Sequence, residues 1–244
     1  PSSLAPCGRI SIVGWLITSA GAVALAVVFS RLAHRTPLAG GPYAYTRAEF
    51  GDFAGFLVGW GYWISILATN AALAVAFVSY LTRFVPRLSE DRVAAALVAL
   101  GAVWLLTGVN TLGVRAGGRM QMITTGLKIL PLVIIALFGL AHFNAANFEP
   151  APEIASHPFS STTAAVTLTL WAFLGLESAT IPADEVRDPR RTIPRATLIG
   201  TAATAVLYIA GTTAVMGVMD TTRLSKSAAP FAEAASLMWG GWAG

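Results

Sequence analysis

The residues best placed to do chemistry are Trp171, Gly175 and Glu177, in the stretch Trp-Ala-Phe-Leu-Gly-Leu-Glu-Ser. They lie inside the apolar run 163–181. A carboxylate there faces a large desolvation cost, and an ionisable residue within a membrane span points first to function. Gly175 weakens whatever helix carries Glu177. A helix interrupted near mid-membrane frees backbone N–H and C=O groups to meet an anionic group or an ion. A glycine followed by an acid midway along a span fits that device. A Glu paired with a neighbour for structure alone fits the same residues. Trp171 and Leu174 share a helical face.

Two further polar sets stand in apolar runs. Tyr62, Ser65 and Thr69 recur at i, i+3 and i+7, with Asn70 beside them. In lipid such a stripe looks into the bundle or into a water-filled cavity. Interhelical hydrogen bonding would account for a Ser or Thr. An Asn costs more to bury unsatisfied, so Asn70 is read as lining a cavity. Gln121, Thr125 and Lys128 repeat the pattern at i, i+4 and i+7. Lys128 stands roughly 13 Å along the helix from Arg119. Either its stem snorkels back towards the interface, or desolvation depresses the amine so that it loads and releases a proton during a transport cycle. Pro131 would loosen the same helix one turn later.

The elements that must position these residues are membrane spans. The chain has 244 residues, 55% hydrophobic and 11% charged, with a mean hydropathy of +0.67. A soluble domain carries about 25% charged residues. Apolar runs long enough to cross a ~30 Å core recur along the chain, without the short alternation of barrel strands. The class is all-α integral membrane, with six spans predicted at 10–33, 53–84, 93–113, 120–143, 163–181 and 196–219. The second is long and so tilted, and Gly55 and Gly59 on one of its faces suit close helix packing.

Charge sets the orientation. One side carries Arg31, Arg35, Arg47, Arg115, Arg119, Arg187, Arg190, Arg191 and Arg195; the other carries Arg9, Arg83, Arg87, Arg92, Arg223 and Lys226. Nine against six places the first set in the cytoplasm. The loop 144–161 holds Glu149 and Glu153 but no Lys or Arg, and reads as external. The dense charge run 184–194 reads as a solvated loop, with Pro194 in the first turn of the next helix.

The net charge of +4 is spread in short clusters between apolar runs and does not point to nucleic acid. The single Cys7 excludes a disulfide framework within the chain and a multi-cysteine metal site. His34, His142 and His157 form no metal-binding motif. No metal and no cofactor are expected. The run 10–31 is too long for a signal peptide, and the sequence reads as an internal piece of a longer protein.

Three blocks then carry a resemblance. The first is Gly40-Gly-Pro-Tyr-Ala-Tyr-Thr-Arg-Ala-Glu-Phe-Gly51, running into Gly55-Phe-Leu-Val-Gly-Trp-Gly-Tyr-Trp63. The second is Asn110-Thr-Leu-Gly-Val-Arg-Ala-Gly-Gly-Arg-Met-Gln121. The third is Leu170-Trp-Ala-Phe-Leu-Gly-Leu-Glu-Ser178, followed by Asp188-Pro-Arg-Arg-Thr-Ile-Pro194. In this order they resemble the amino acid–polyamine–organocation family of transporters, and within it the bacterial arginine/agmatine antiporters.

The resemblance implies a partial inverted-repeat fold of five plus five helices. About six are present, in one transmembrane domain over 1–244 that lacks the family's first helix and its later ones. It implies that Trp171 stacks on a guanidinium and that Asn70 hydrogen-bonds to it. Ser65, Ile66, Leu73, Leu174 and Gly175 fall in the pocket. Tyr62 and Glu177 fall at a gating pair, Glu177 at a proton-coupling acid, and Tyr43 at a tyrosine tied to pH sensing. A cation over an indole face is a favourable pair.

Lys128 departs from the antiporter pattern and matches proton-coupled permeases of the same family. The implied activity is secondary active exchange or import of a basic amino acid such as arginine, with proton involvement. A proton symporter of broader amino acid specificity, using Lys128, is the rival. The expected setting is the inner (plasma) membrane, multi-pass, among lipid, with a homodimer one assembly open to it. A six-span intramembrane enzyme is the remote alternative. It lacks a catalytic serine motif, since His142 and His157 merely flank one loop, and the chain is not expected to be an enzyme. A channel or structural subunit would account for the polar stripes but not for the broken-helix block.

Overall fold

The computed structural model describes residues 1–36, 38–82 and 84–243, apart from the side chain of Glu153. Arg83 and the Glu153 side chain, both used in the orientation argument, lie outside the described residues. Eleven α-helices follow in chain order among the described residues: α1 (Ile10–Arg35), α2 (Pro42–Phe50), α3 (Asp52–Leu81), α4 (Arg87–Glu90), α5 (Arg92–Thr111), α6 (Val114–Ala141), α7 (Pro152–Ala155), α8 (Pro158–Leu170), α9 (Pro189–Val218), α10 (Thr221–Lys226) and α11 (Pro230–Trp239). No strand occurs among the described residues. Six segments are long and apolar enough to cross a membrane: α1, α3, α5, α6, the stretch Pro158–Thr180 that begins with α8, and α9. These are the six spans predicted.

The chain divides into two compact units, Pro1–Gly41 with Lys128–Gly244, and Pro42–Leu127. In the first, small residues let long helices approach. A Cβ on Gly14 would stand 2.8 Å from the Ala165 methyl, so α1 and α8 meet where one of them has no side chain. One turn on, the Thr18 and Thr169 hydroxyls pair at 2.7 Å. These two contacts advance together along both helices, so α1 and α8 run parallel. Contacts between α1 and α9 advance oppositely: Ser11 Oγ meets Met216 Sδ at 3.4 Å, and His34 Nδ1 meets the Arg190 carbonyl at 3.2 Å. That alternation is what successive crossings of one membrane require. Trp15 of α1 packs on Phe173 and on Tyr208 of α9, with ring centroids 6.1 and 5.5 Å apart. Towards the chain's other end, Val215, Met216 and Met219 form an apolar core with Ile135, Leu224 and Ala234.

The same contacts sort the charges of this unit. The Arg9 N–H donates to the Phe148 carbonyl at 2.8 Å, and the Ser2 hydroxyl donates to the Ser227 carbonyl at 2.9 Å, which gathers Arg9 and Arg223 at one end. The His34 contact gathers Arg31, Arg35, Arg190, Arg191 and Arg195 at the other. The loop argument separates them in the same way.

In the second unit α2 lies on α3. A Cβ on Gly55 would stand 2.7 Å from Arg47 Cβ, and one on Gly59 would stand 3.1 Å from the Tyr43 ring. The glycines read as packing residues do pack, against a short helix. α3 is 30 residues long, or ~45 Å. Asp91 caps α5 by accepting the Val93 and Ala94 N–H groups at 3.0 Å. Gly113, at φ 99°, makes the turn into α6.

Two helix starts differ from the sequence expectation. α6 starts at Val114 rather than 120 and runs unbroken through Pro131. α9 starts at Pro189 rather than 196, so only the first part of the charge run 184–194 is irregular. Pro189, not Pro194, takes the first helical position, where a missing N–H costs nothing. Pro194 therefore lies in the helix interior, and the Arg190 carbonyl that its N–H would have engaged is the one His34 reaches.

Candidate functional site

The fifth span breaks where the sequence places the break. α8 stops at Leu170, and Trp171–Phe173 form a single 3-10 turn. Leu174 is extended (φ −62°, ψ 138°). Gly175 adopts φ 96°, ψ 0°, and a second 3-10 turn covers Leu176–Thr180. Nothing lies within 4 Å of where a Gly175 Cβ would stand, so conformation rather than space demands glycine here.

The backbone accounting at this point is unusual. Among the described residues, the Leu174 carbonyl receives no hydrogen bond and the Gly175 N–H donates none, so the peptide joining them is free at both ends. The far side of the break is tied down. Ser178 directs both its N–H (3.0 Å) and its hydroxyl (2.6 Å) at the Gly175 carbonyl. The Thr180 hydroxyl donates to the Glu177 carbonyl at 2.7 Å, and the Gly40 N–H donates to the Ile181 carbonyl at 3.0 Å. The Ala172 and Phe173 carbonyls and the Leu176 and Glu177 N–H groups likewise have no partner among the described residues, so an open stretch of backbone centred on this peptide meets a firmly held frame.

Side chains flank it. Trp171 is 64% exposed and Leu174 61%. Glu177 is half-buried, and among the described residues it has no ion-pair partner. Lys128, in the same unit, is exposed on α6.

The other predicted residues stand in the second unit. Tyr62, Ser65, Ile66, Asn70 and Leu73 all ride on α3, which stays regular throughout. Asn70 and Leu73 line a groove of about 740 Å³ between α3 and α5. Tyr62, Ser65 and Ile66 are not on that lining. The groove is apolar apart from two amides and a threonine, Asn70, Asn110 and Thr107. Thr107 spends its hydroxyl on the Val103 carbonyl at 2.8 Å, which leaves the amides as the polar features. Sequence reasoning gave Asn110 no role. Its signal was present in the spacing Thr107, Asn110, Thr111 at the end of a span.

Tyr43 is tied into a small polar chain. Its hydroxyl accepts from Arg47 Nη1 at 3.3 Å, and Arg47 Nε donates to Asp52 Oδ1 at 2.6 Å. The hydrogen bond to Asp52 holds the Arg47 guanidinium still more firmly protonated than usual. No group of three or more His, Cys, Asp or Glu residues that could hold a metal occurs among the described residues.

Six spans, one of them broken around an open peptide, define a multi-pass α-helical membrane protein with the architecture of a permease. A family model described as amino acid permease matches residues 2–244, and the chain belongs to that family. It is 38% identical over 247 residues to the cadaverine/lysine antiporter of Escherichia coli K12, covering 100% of this chain and 54% of that protein. It is 35% identical over 240 residues to the putrescine transporter PotE of the same organism (98% of this chain, 54% of PotE). It is 34% identical over 232 residues to PotE of Haemophilus influenzae (95% and 53%). The chain spans about half the length of the curated relatives it matches. A permease family and transporter relatives leave no place for the six-span enzyme, and they set the chain in the plasma membrane.

Proposed function

We propose that the whole protein carrying this chain is a secondary active transporter that exchanges a cationic amino acid for an amine. The observation that carries this is the open Leu174–Gly175 peptide beside Trp171. A free carbonyl suits an ammonium or guanidinium donor, and an indole face one turn earlier suits the same cation. The relatives are named for cadaverine, lysine and putrescine, all of which bear ammonium groups. The motif resemblance adds arginine and agmatine, which bear guanidinium. Arginine/agmatine exchange is the finer proposal, and lysine with its diamine is the competitor it must beat.

Within this reading Trp171 holds the cation and Asn70 hydrogen-bonds to it. Leu174 stands beside Trp171, and the motif resemblance gives Ser65, Ile66 and Leu73 of the other unit substrate-contacting roles. Glu177 takes up and releases the coupled proton; the motif resemblance gives Tyr62 a gating role and Tyr43 a role in sensing pH. Access alternates by rocking around the broken span. Exchange is preferred over Lys128-based symport because the cadaverine/lysine relative is named an antiporter.

Proteoliposomes of the whole protein, preloaded with each candidate amine, test it. Labelled arginine should enter fastest against agmatine, and Trp171→Leu should raise the KM for it by roughly thirtyfold, the worth of a desolvated cation–π pair. Unchanged affinity would mean that Trp171 does not hold the cation. Net uptake driven by a proton gradient alone, abolished by Lys128→Ala, would replace exchange with symport.

A further inference from the structure

The end of α1 and the start of α9 line an open cleft of about 370 Å³, within the size range of small-molecule sites. Its wall carries Arg31, His34, Arg35, Arg190, Arg191 and Arg195, and no acidic side chain lines it. Guanidinium groups stay charged throughout the physiological range, so five cations share one small space. Among the described residues only one of the five has an ion-pair partner: Arg191 Nε lies 3.8 Å from Asp188 Oδ2.

The cleft is built rather than splayed. A carbonyl can only accept, so His34 Nδ1 is the donor in its 3.2 Å contact with the Arg190 oxygen, and that bond ties the two helix ends together. The Thr192 hydroxyl donates to the Arg187 carbonyl at 2.9 Å and steadies the entry into α9. A second depression of about 500 Å³ shares Arg191 and Arg195, is lined at its charged end by Asp188 and Thr192 as well, and continues along α9 past Ala196, Ile199 and Gly200. Ile199 is 68% exposed, and the space beside Gly200 is open. Arg191 and Arg195 thus stand between the charged cleft and the apolar positions Ala196 and Ile199.

Depth agrees with this arrangement. α1 is ~39 Å long, against a hydrocarbon core of ~30 Å, so its last turn emerges at headgroup level. The first turns of α9 meet it there.

We infer that this cleft binds the phosphate of an anionic phospholipid, with an acyl chain lying along Ala196, Ile199 and Gly200. Arginine forks match phosphate oxygens two at a time, and a phosphate relieves the mutual repulsion of the cluster. The inference does not depend on which substrate is transported.

The test is lipid retention by the whole protein in mild detergent, counted by native mass spectrometry with phosphatidylglycerol or phosphatidylcholine. Phosphatidylglycerol should be retained in preference. Arg31→Gln, Arg190→Gln and Arg195→Gln combined should weaken it about fivefold per arginine removed. Removing Arg115 and Arg119, from the same predicted side, should leave it unchanged. Arg→Lys at the three cleft positions keeps the charge without the fork. It should fall between parent and glutamine variant, and it carries the test alone if the glutamine variant does not fold. Equal loss from the cleft and control variants, or no loss from the cleft variants, would show only a general cationic surface and overturn the site. If inorganic phosphate raises the unfolding temperature with the same arginine dependence and phosphatidylglycerol does not, the ligand is a free phosphate and the lipid assignment fails.

Discussion

Three spans of the same unit interrupt their helical hydrogen bonding, at Pro131 of α6, Pro194 of α9 and Gly175 of the fifth span, and the last two are answered differently. In α9, Pro194 cannot engage the Arg190 carbonyl, and His34 reaches across from α1 to take it. In the fifth span, Gly175 turns the chain to φ 96°, and the adjoining peptide stays open among the described residues. A buried or lipid-facing backbone group without a partner is costly. A fold that answers one such group with a side chain and leaves another open is using the second. The ligand proposed for the permease is what would complete the Leu174–Gly175 peptide, whereas the Arg190 carbonyl needs none.

The comparison breaks most sharply at Gly175. Gly175→Ala adds a methyl group that meets nothing, so any effect is conformational. A non-glycine residue held at this φ costs ~1–3 kcal/mol, and the break should relax towards regular helix. Transport in proteoliposomes should fall at least ~tenfold while the protein still inserts. Gly61 is the control. It also faces open space, but in the regular α3. Gly61→Ala should leave transport intact and raise stability by up to ~1 kcal/mol. Equal effects at the two glycines would mean that the break serves packing rather than binding.

A smaller effect sharpens the same contrast from the second unit. α3 satisfies its own backbone, so it has only side chains to offer a ligand. Asn70→Ala should therefore cost one hydrogen bond, about fivefold in KM, against the larger loss at Trp171. Asn110→Ala, on the same groove, tests whether the second amide shares that work. A loss at Asn110 matching that at Asn70 would make the groove, rather than the stripe on α3, the unit of recognition.

What could be read in advance follows from the same physics. Six long apolar runs admit no other solution in lipid, so the spans were legible. The break was legible because Gly175 next to Glu177 is costly in an apolar run and has few other uses. The start of α9 was not, because the charges of Arg190, Arg191 and Arg195 resemble a loop while the backbone beneath them is helical. Periodicity cannot tell these apart at an interface where arginines face water from a helix. Pro194 misled for a related reason: the first-turn preference of proline fits two prolines, and Pro189 holds the place. Nor could sequence reveal which distant side chain would take up the freed carbonyl. A pairing across a sequence separation of 156 leaves no local signal.

The last expected effect is the smallest, and it decides whether the repair is real. Pro194→Ala restores an N–H one turn beyond Arg190 and gives its carbonyl a partner within the helix. His34 then loses its role as acceptor's partner, though not its place in the cleft. His34→Ala should cost ~0.5–1 kcal/mol in the parent, the value of an exposed hydrogen bond, and much less in the Pro194→Ala background. The coupling in that double-mutant cycle, read from unfolding midpoints of the whole protein, measures the repair alone. Zero coupling would mean that His34 does not answer the Arg190 carbonyl. The contrast between an answered and an open interruption would then be lost, and the argument that the break at Gly175 awaits a ligand would rest on Trp171 and Glu177 alone.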